Sequence, residues 1–225
     1  TTPLGMYPNT GSAAVDLRAF PRCEGVFDIV YNPARTALLL QAEQLGIPHA
    51  SGLSMLVAQA KKACEYFTGN PVPDAEIDRI ERLLSRQMEN IILIGMPGCG
   101  KSSVGKALAA ALNRTFLDAD EEIVRRAGCS IPQIFAAQAE AGFRRLESAV
   151  LADLGKQSGI VLATGGGCVT RPENYPSLHQ NGYIVWLTRD LSLLPTDGRP
   201  MSQANPPEAL WKTRKALYER FSDVK

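Results

Sequence analysis

Ile91-Ile92-Leu93-Ile94-Gly95-Met96-Pro97-Gly98-Cys99-Gly100-Lys101-Ser102-Ser103 is the stretch on which the reading of this chain turns. Four consecutive large apolar residues read as a strand buried on both faces, the pattern of a parallel sheet. The strand runs into G-x-x-x-x-G-K-[ST], and a helical stretch over 101–113 follows, the context that this motif demands. Glycines at such a turn let successive N–H groups face one anion, and the helix adds its positive end. Gly98, Cys99, Gly100, Lys101, Ser102 and Ser103 therefore form a phosphate cradle. Lys101 is expected to reach the β- and γ-phosphates, and the Ser102 hydroxyl to ligate Mg²⁺. The motif is silent on the acceptor. Cys99 reads either as a thiol activated by the helix N-terminus or as a small filler of the loop.

Downstream, strand-like segments at 115–118, 160–163 and 183–187 alternate with helical ones, notably 136–154. This order gives an α/β fold, a mostly parallel sheet flanked by helices. Ligands on such sheets lie beyond the carboxyl ends of the strands, so those ends hold the candidate residues. After the second strand, Asp118 and Asp120 are two apart and share a face if the strand continues. One carboxylate then assists Mg²⁺ through water while the other engages an attacking hydroxyl; alternatively Asp120 caps a helix beginning at Glu121. After the third strand, Gly165-Gly166-Gly167 either exposes amides to a ligand or is a loose connection. Arg144 and Glu147 are three apart on a helix, and spacing alone favours an ion pair on a solvated face. Arg199, in Gly198-Arg199-Pro200, and Arg214 gain meaning only if they converge on the same site.

Upstream, Gly69-Asn70-Pro71-Val72-Pro73-Asp74 is dense in turn formers. A polar helical pattern over 74–88 follows. The chain accordingly divides into 1–70, a terminal helix or linker over 71–89, and 90–225. Its 225 residues, 45% hydrophobic and 21% charged, suffice for a sizeable core. The net charge is +1 with both signs interleaved, so nothing marks a nucleic-acid or membrane partner. No apolar run approaches the roughly 18–20 residues that span a bilayer. Cys23, Cys64, Cys99, Cys129 and Cys168 are scattered without a CxxC pair, which fits a reducing cytoplasm better than a disulfide framework or zinc site. Thr1-Thr2-Pro3 opens the chain without an initiator Met and reads as a fragment or trimmed chain. Oligomeric state is not legible.

Taken together, these motifs resemble the shikimate kinase family over about 90–223. The resemblance implies a P-loop, nucleoside-monophosphate-kinase-like fold, with ATP, Mg²⁺ and shikimate as ligands. By it, Asp120 would bind a shikimate hydroxyl and act as, or orient, the base, while Asp118 assists Mg²⁺. Arg144 and Arg214 would bind the substrate carboxylate, Glu147 would hold Arg144, Gly166 would offer a backbone contact, and Arg199 would close over the phosphates from a lid near 193–206. The residue types suit such a substrate, because guanidinium forks match carboxylates. Three departures stand out. Leu194-Pro195-Thr196-Asp197-Gly198 lacks the arginine that packs on adenine in the family. Ala141 stands where the family has Glu, with Glu140 beside it. The chain also ends before the family's last strand and helix, so the sheet is expected to lack a strand. A gluconate-type polyol kinase and a nucleotide-binding module without turnover are the competing readings.

The first part resembles the C-terminal end of shikimate dehydrogenase, a partial Rossmann-like α/β segment. The resemblance rests on Thr2-Pro3-Leu4-Gly5-Met6, Asp28-Ile29-Val30-Tyr31-Asn32-Pro33 with Thr36, and Gly52-Leu53-Ser54-Met55-Leu56-Val57-Ala58-Gln59-Ala60. By that resemblance Tyr31 and Gln59 would touch shikimate, and Ile29, Gly52 and Met55 would lie near NADP in a complete dehydrogenase half. Since the two activities are consecutive on the route to chorismate, the resemblance implies a bifunctional parent. The family's catalytic Lys/Asp pair and NADP loop precede these segments. Incubation of the 225-residue chain with shikimate and NADP is therefore expected to give no rise in absorbance at the NADPH band; sustained reduction would contradict the reading.

Overall fold

Ile92, Leu93 and Ile94 are almost fully buried because β3 (Asn90–Ile94) lies inside a four-stranded parallel sheet and has helices over both faces. The structure, a computed structural model, describes residues 2–194 and 206–225. The chain forms two units, 1–89 and 90–225.

In the first unit, β1 (Val26–Asp28) and β2 (His49–Ser51) pair in parallel through α1 (Ala37–Gln44). Thr36 caps α1, and its hydroxyl donates to Asp28 Oδ2 at 2.7 Å, tying the helix start to the strand end. Leu17, Val30, Leu39, Leu40, Leu53 and Val57 are buried there. Helices α2 (Leu53–Thr68) and α3 (Ala75–Met88) follow. Phe27, Tyr66 and Phe67 stay exposed.

The second unit orders its strands β4 (Phe116–Asp118), β5 (Val161–Ala163), β3, β6 (Gly182–Trp186). Leu93 pairs with Ala163 and with Val185, and Asp118 with Ala163, so the carboxyl ends of the strands come level. Alternation along β3 feeds two cores. Ile92 and Ile94 join Val150, Leu151 and Leu154 of α6 (Ile131–Leu154) and Tyr218 and Phe221 of α8 (Pro207–Phe221). Leu93 instead meets Ala109 of α4 (Lys101–Leu112) and Val161. Gly105 lets α4 approach the sheet: a Cβ there would lie 2.5 Å from Phe116 Cε2. Helices α5 (Ala119–Ala127) and α7 (Asn174–His179) complete the unit. Val224 forms a parallel bridge with Val185 beside β6, and this unit's sheet has four strands among the described residues. No helix of the described residues is long and apolar enough to cross a membrane.

The helical pattern read over 136–154 begins earlier, at Ile131, where Ser130 N–H donates to Gln133 Oε1 at 2.8 Å and Pro132 lies in the first turn. The pattern was obscured by a break. Ala139 adopts φ 55° and ψ −176° inside α6, a region that strains any residue with a Cβ by about 1–3 kcal/mol. Ala139→Gly should relieve that strain. Glycine's larger unfolded-state entropy takes back part of the gain, leaving roughly 1 kcal/mol and a melting temperature higher by about 2–4 °C. Both tryptophans, Trp186 and Trp211, lie in the second unit, so their fluorescence reads its melting; a lower midpoint would contradict the assignment of strain.

Candidate active site

At the carboxyl ends of the strands the chain leaves a cavity of about 490 Å³. The loop after β3 forms one wall. Gly98 and Gly100 adopt φ of 82° and 104°, in the left-handed range open to glycine, and α4 starts directly behind them. Lys101 is buried, and its Nζ donates to the carbonyls of Gly95 and Met96 at 2.9 and 3.0 Å. Gly98, Gly100, Lys101, Ser102 and Ser103 line the cavity. Cys99 is buried and joins the apolar core instead. Its side chain is the loop's filler, and any part it has in holding phosphate is left to its backbone.

Asp118 and Asp120 both face the cavity, but for a different reason from the one spacing suggests. The strand stops at Asp118, and α5 starts at Ala119. The N-cap is Asp118, whose Oδ1 accepts the Asp120 N–H at 3.0 Å. The capping role offered for Asp120 therefore falls to its neighbour, and Asp120 projects from the first helical turn. Ser102 Oγ donates to the other Asp118 oxygen at 2.6 Å, placing the hydroxyl and carboxylate side by side. Burial, then the nearby charges of Asp118 and Glu147, push the Asp120 carboxyl up to about 6.

The Arg144–Glu147 pair is not on a solvated face. Glu147 is 0% and Arg144 5% exposed, with Nη1 and Oε2 2.7 Å apart. Burial pushes the Glu147 carboxyl upward, against the pull of Arg144. Glu140 adds a second carboxylate, 3.2 Å from Arg144 Nη2, just after the break at Ala139. The triple glycine is no loose connection either. A Cβ on Gly165 would lie 2.6 Å from Glu147 Oε1, on Gly166 2.6 Å from Pro97 Cδ, and on Gly167 2.2 Å from Arg144 Nη2. None of the three has a positive φ, so space rather than backbone conformation excludes side chains. From α8, Arg214 donates through Nη1 to the Gly166 carbonyl at 3.1 Å and lines the cavity.

The structure thus brings together Lys101, Ser102, Asp118, Asp120, Arg144, Gly166 and Arg214. Arg199, and the lid reading from 195 to 205, lie outside the described residues. Two features escaped sequence reasoning. Arg189 lines the cavity just past β6, a position that attention to every strand end finds. Phe135 and Phe143 stack at 4.7 Å to make an apolar wall, and the break in α6 hid their proximity. In the first unit, Ile29 and Tyr31 line a second cavity of about 500 Å³ with Met6, Tyr7 and Asn32. Gly52 packs under Ile29, where a Cβ would strike the Ile29 carbonyl at 1.9 Å. Met55 and Gln59 are exposed one turn apart on α2 and do not line that cavity.

The shikimate kinase family model matches residues 97–225. A shikimate kinase of Burkholderia lata is 43% identical over 143 residues, 60% of this chain and 78% of that protein. The shikimate kinase from Acinetobacter baumannii, solved in complex with shikimate, matches with a TM-score of 0.59 at 38% identity, over 63% of this chain and 84% of that one. The enzyme from Bacteroides thetaiotaomicron matches with a TM-score of 0.55 at 28% identity, over 61% and 85%.

The raised Asp120 carboxyl carries a stability cost. Its ordinary value is 3.8 and its folded value about 6, so the native state binds the extra proton and stability falls as pH rises between those values. Asp120→Asn should therefore stabilise the ligand-free second unit by about 1–2 kcal/mol at pH 7.5, after discounting for solvent access. The gain should vanish near pH 4. Urea titrations followed by tryptophan fluorescence at both pH values measure it, and equal stability at pH 7.5 would refute the assignment.

Proposed function

The chain belongs to the shikimate kinase family, and we propose that residues 90–225 transfer the γ-phosphoryl group of ATP to the 3-hydroxyl of shikimate. The observation that carries this reading is the placement of Asp120 in one cavity with the phosphate loop, Arg144 and Arg214. A phosphate cradle alone specifies a donor. A carboxylate poised near pH 6 and two buried guanidinium groups add an acceptor with a hydroxyl and a carboxylate.

In this reading the loop N–H groups, Lys101 and Ser103 hold the β- and γ-phosphates, Lys101 exchanging its carbonyl partners for phosphate oxygens. Arg144 and Arg214 hold the shikimate carboxylate as forks and fix which hydroxyl faces phosphorus. Asp120 accepts the hydrogen bond of that hydroxyl and takes its proton as the oxygen–phosphorus bond forms and the bond to the ADP leaving oxygen breaks. The Ser102 hydroxyl and Asp118 carboxylate are hard oxygen donors 2.6 Å apart. They fit a Mg²⁺ ion that retains most of its shell as water and phosphate. When bound, Mg²⁺ offsets charge on the β- and γ-phosphates. Arg199 is assigned to the phosphates by resemblance alone.

For residues 1–70 we infer the C-terminal part of a shikimate dehydrogenase-like NADP domain, with 71–89 a terminal helix or linker, and hence a bifunctional parent. The parallel β1–α1–β2 unit and the cavity under Ile29 and Tyr31 support it. The five cysteines, all unpaired, suit the reducing cytoplasm.

Coupled ADP release with ATP-Mg²⁺ tests the kinase reading. Release should depend on shikimate, be unaffected by gluconate, and fall by about 10²–10⁴ in Asp120→Asn. In the wild type, kcat/KM for shikimate should decline as pH falls below about 6, because protonated Asp120 no longer accepts the hydroxyl proton. Shikimate-independent release, or a profile flat down to pH 5, would contradict the assignment.

A further inference from the structure

Tyr218 touches no part of the cavity, yet its hydroxyl ends on the backbone that forms the cavity floor. The residue lies on α8 four positions after Arg214, on the same helix face. Its ring is 0% exposed and stacks on Trp186, with centroids 5.7 Å apart at 21°. That packing would be served equally by phenylalanine. A buried phenol, however, needs an acceptor, and this one donates to the Gly166 carbonyl. The same oxygen accepts Arg214 Nη1 at 3.1 Å. Both lone pairs of one peptide carbonyl are thus occupied from one helix, and the plane of the Gly166–Gly167 peptide is held with them. Gly166 also abuts Pro97 of the phosphate loop, and the Tyr218 hydroxyl lies 4.0 Å from Met96 Sδ.

We propose that Tyr218 is a positioning residue for the acceptor: by fixing the Gly166 carbonyl it holds the Arg214 guanidinium and the glycine floor in the arrangement that receives the substrate carboxylate. The inference rests on the shikimate kinase reading. Without the hydroxyl, the Gly166 carbonyl keeps one donor, the peptide plane gains freedom, and Arg214 no longer meets the carboxylate in one fixed orientation. The phosphate loop keeps its own contacts, Lys101 with the Gly95 and Met96 carbonyls and Ser102 with Asp118, and Asp120 stays on the first turn of α5.

Steady-state ADP release from the full chain distinguishes this from mere packing. Tyr218→Phe should raise the shikimate KM about tenfold, leave the ATP KM within about twofold, and leave kcat within about threefold. In an Arg214→Ala background the same substitution should change the shikimate KM less than twofold, since the group it orients is gone. p-Aminophenylalanine at position 218, which keeps a donor at the same place, should restore the wild-type KM to within about threefold, and it tests the idea even if Tyr218→Phe does not fold. An unchanged shikimate KM in Tyr218→Phe, equal effects in both backgrounds, joint loss of kcat and both KM values, or no rescue would each overturn the proposal. Absence of shikimate-dependent release by the wild type would overturn the kinase reading, and this proposal with it; wild-type turnover with an unperturbed variant overturns this proposal alone.

Discussion

A glutamate with no exposed surface lies in the lining of the cavity, and the guanidinium that neutralises it is itself nearly buried. Taking two charges out of water costs several kcal/mol per ion, recovered only if geometry and further hydrogen bonds are good. Arg144 and Glu147 meet at 2.7 Å, and Glu140 supplies a second carboxylate to the same guanidinium. The pair is poor value as a source of stability, since apolar residues of similar volume serve that purpose as well. Its consequence is positional. A guanidinium clamped from below cannot swing, so the edge it offers to the cavity is fixed before any ligand arrives.

This clamp dictates the sequence around it. Gly165 and Gly167 are bare because a methyl group on either would strike Glu147 or Arg144. The same buried charge acts on Asp120, where Glu147 and Asp118 add to desolvation in raising the carboxyl to about 6. A general base is most effective with such a value near the working pH. Under the role proposed for Asp120, the arrangement that makes the site less stable is the one that suits it to proton transfer, and strain at Ala139 is stored one residue before Glu140.

How much of this was legible follows from the range of each interaction. Strand β3 and the phosphate loop are local patterns, and they read directly: four apolar residues, a glycine turn, a helix start. The remaining strands of the second unit read to within a residue for the same reason. Asp118 and Asp120 were assigned to one cleft by strand alternation, whereas a strand end followed by a helical turn puts them there. The burial of Arg144 and Glu147 was illegible, because i, i+3 spacing is shared by solvated pairs and depends on what covers the helix. The break at Ala139 was hidden too, since alanine is the last residue expected to leave a helix. The family resemblance placed Arg144 and Glu147 in the site where spacing alone did not.

The phosphate loop and the glycine floor of the cavity meet where Gly166 packs on Pro97. The ring carbons and nitrogen of Pro97 in the phosphate loop lie where a Gly166 Cβ would be, so a bare glycine backbone meets a ring that has no freely rotating side chain. A side chain at that seam would add rotatable bonds to the distance separating phosphorus from the acceptor oxygen, and a displacement of about 1 Å there is enough to cost two orders of magnitude in rate. A glycine backbone against a proline ring avoids those degrees of freedom. It also explains why the acceptor floor needs glycine where the backbone adopts an ordinary φ: the requirement is volume, imposed by the loop opposite. The precision of the site is thus set by parallel strands whose ends come level, with the charged side chains acting on a distance that the backbone has already fixed.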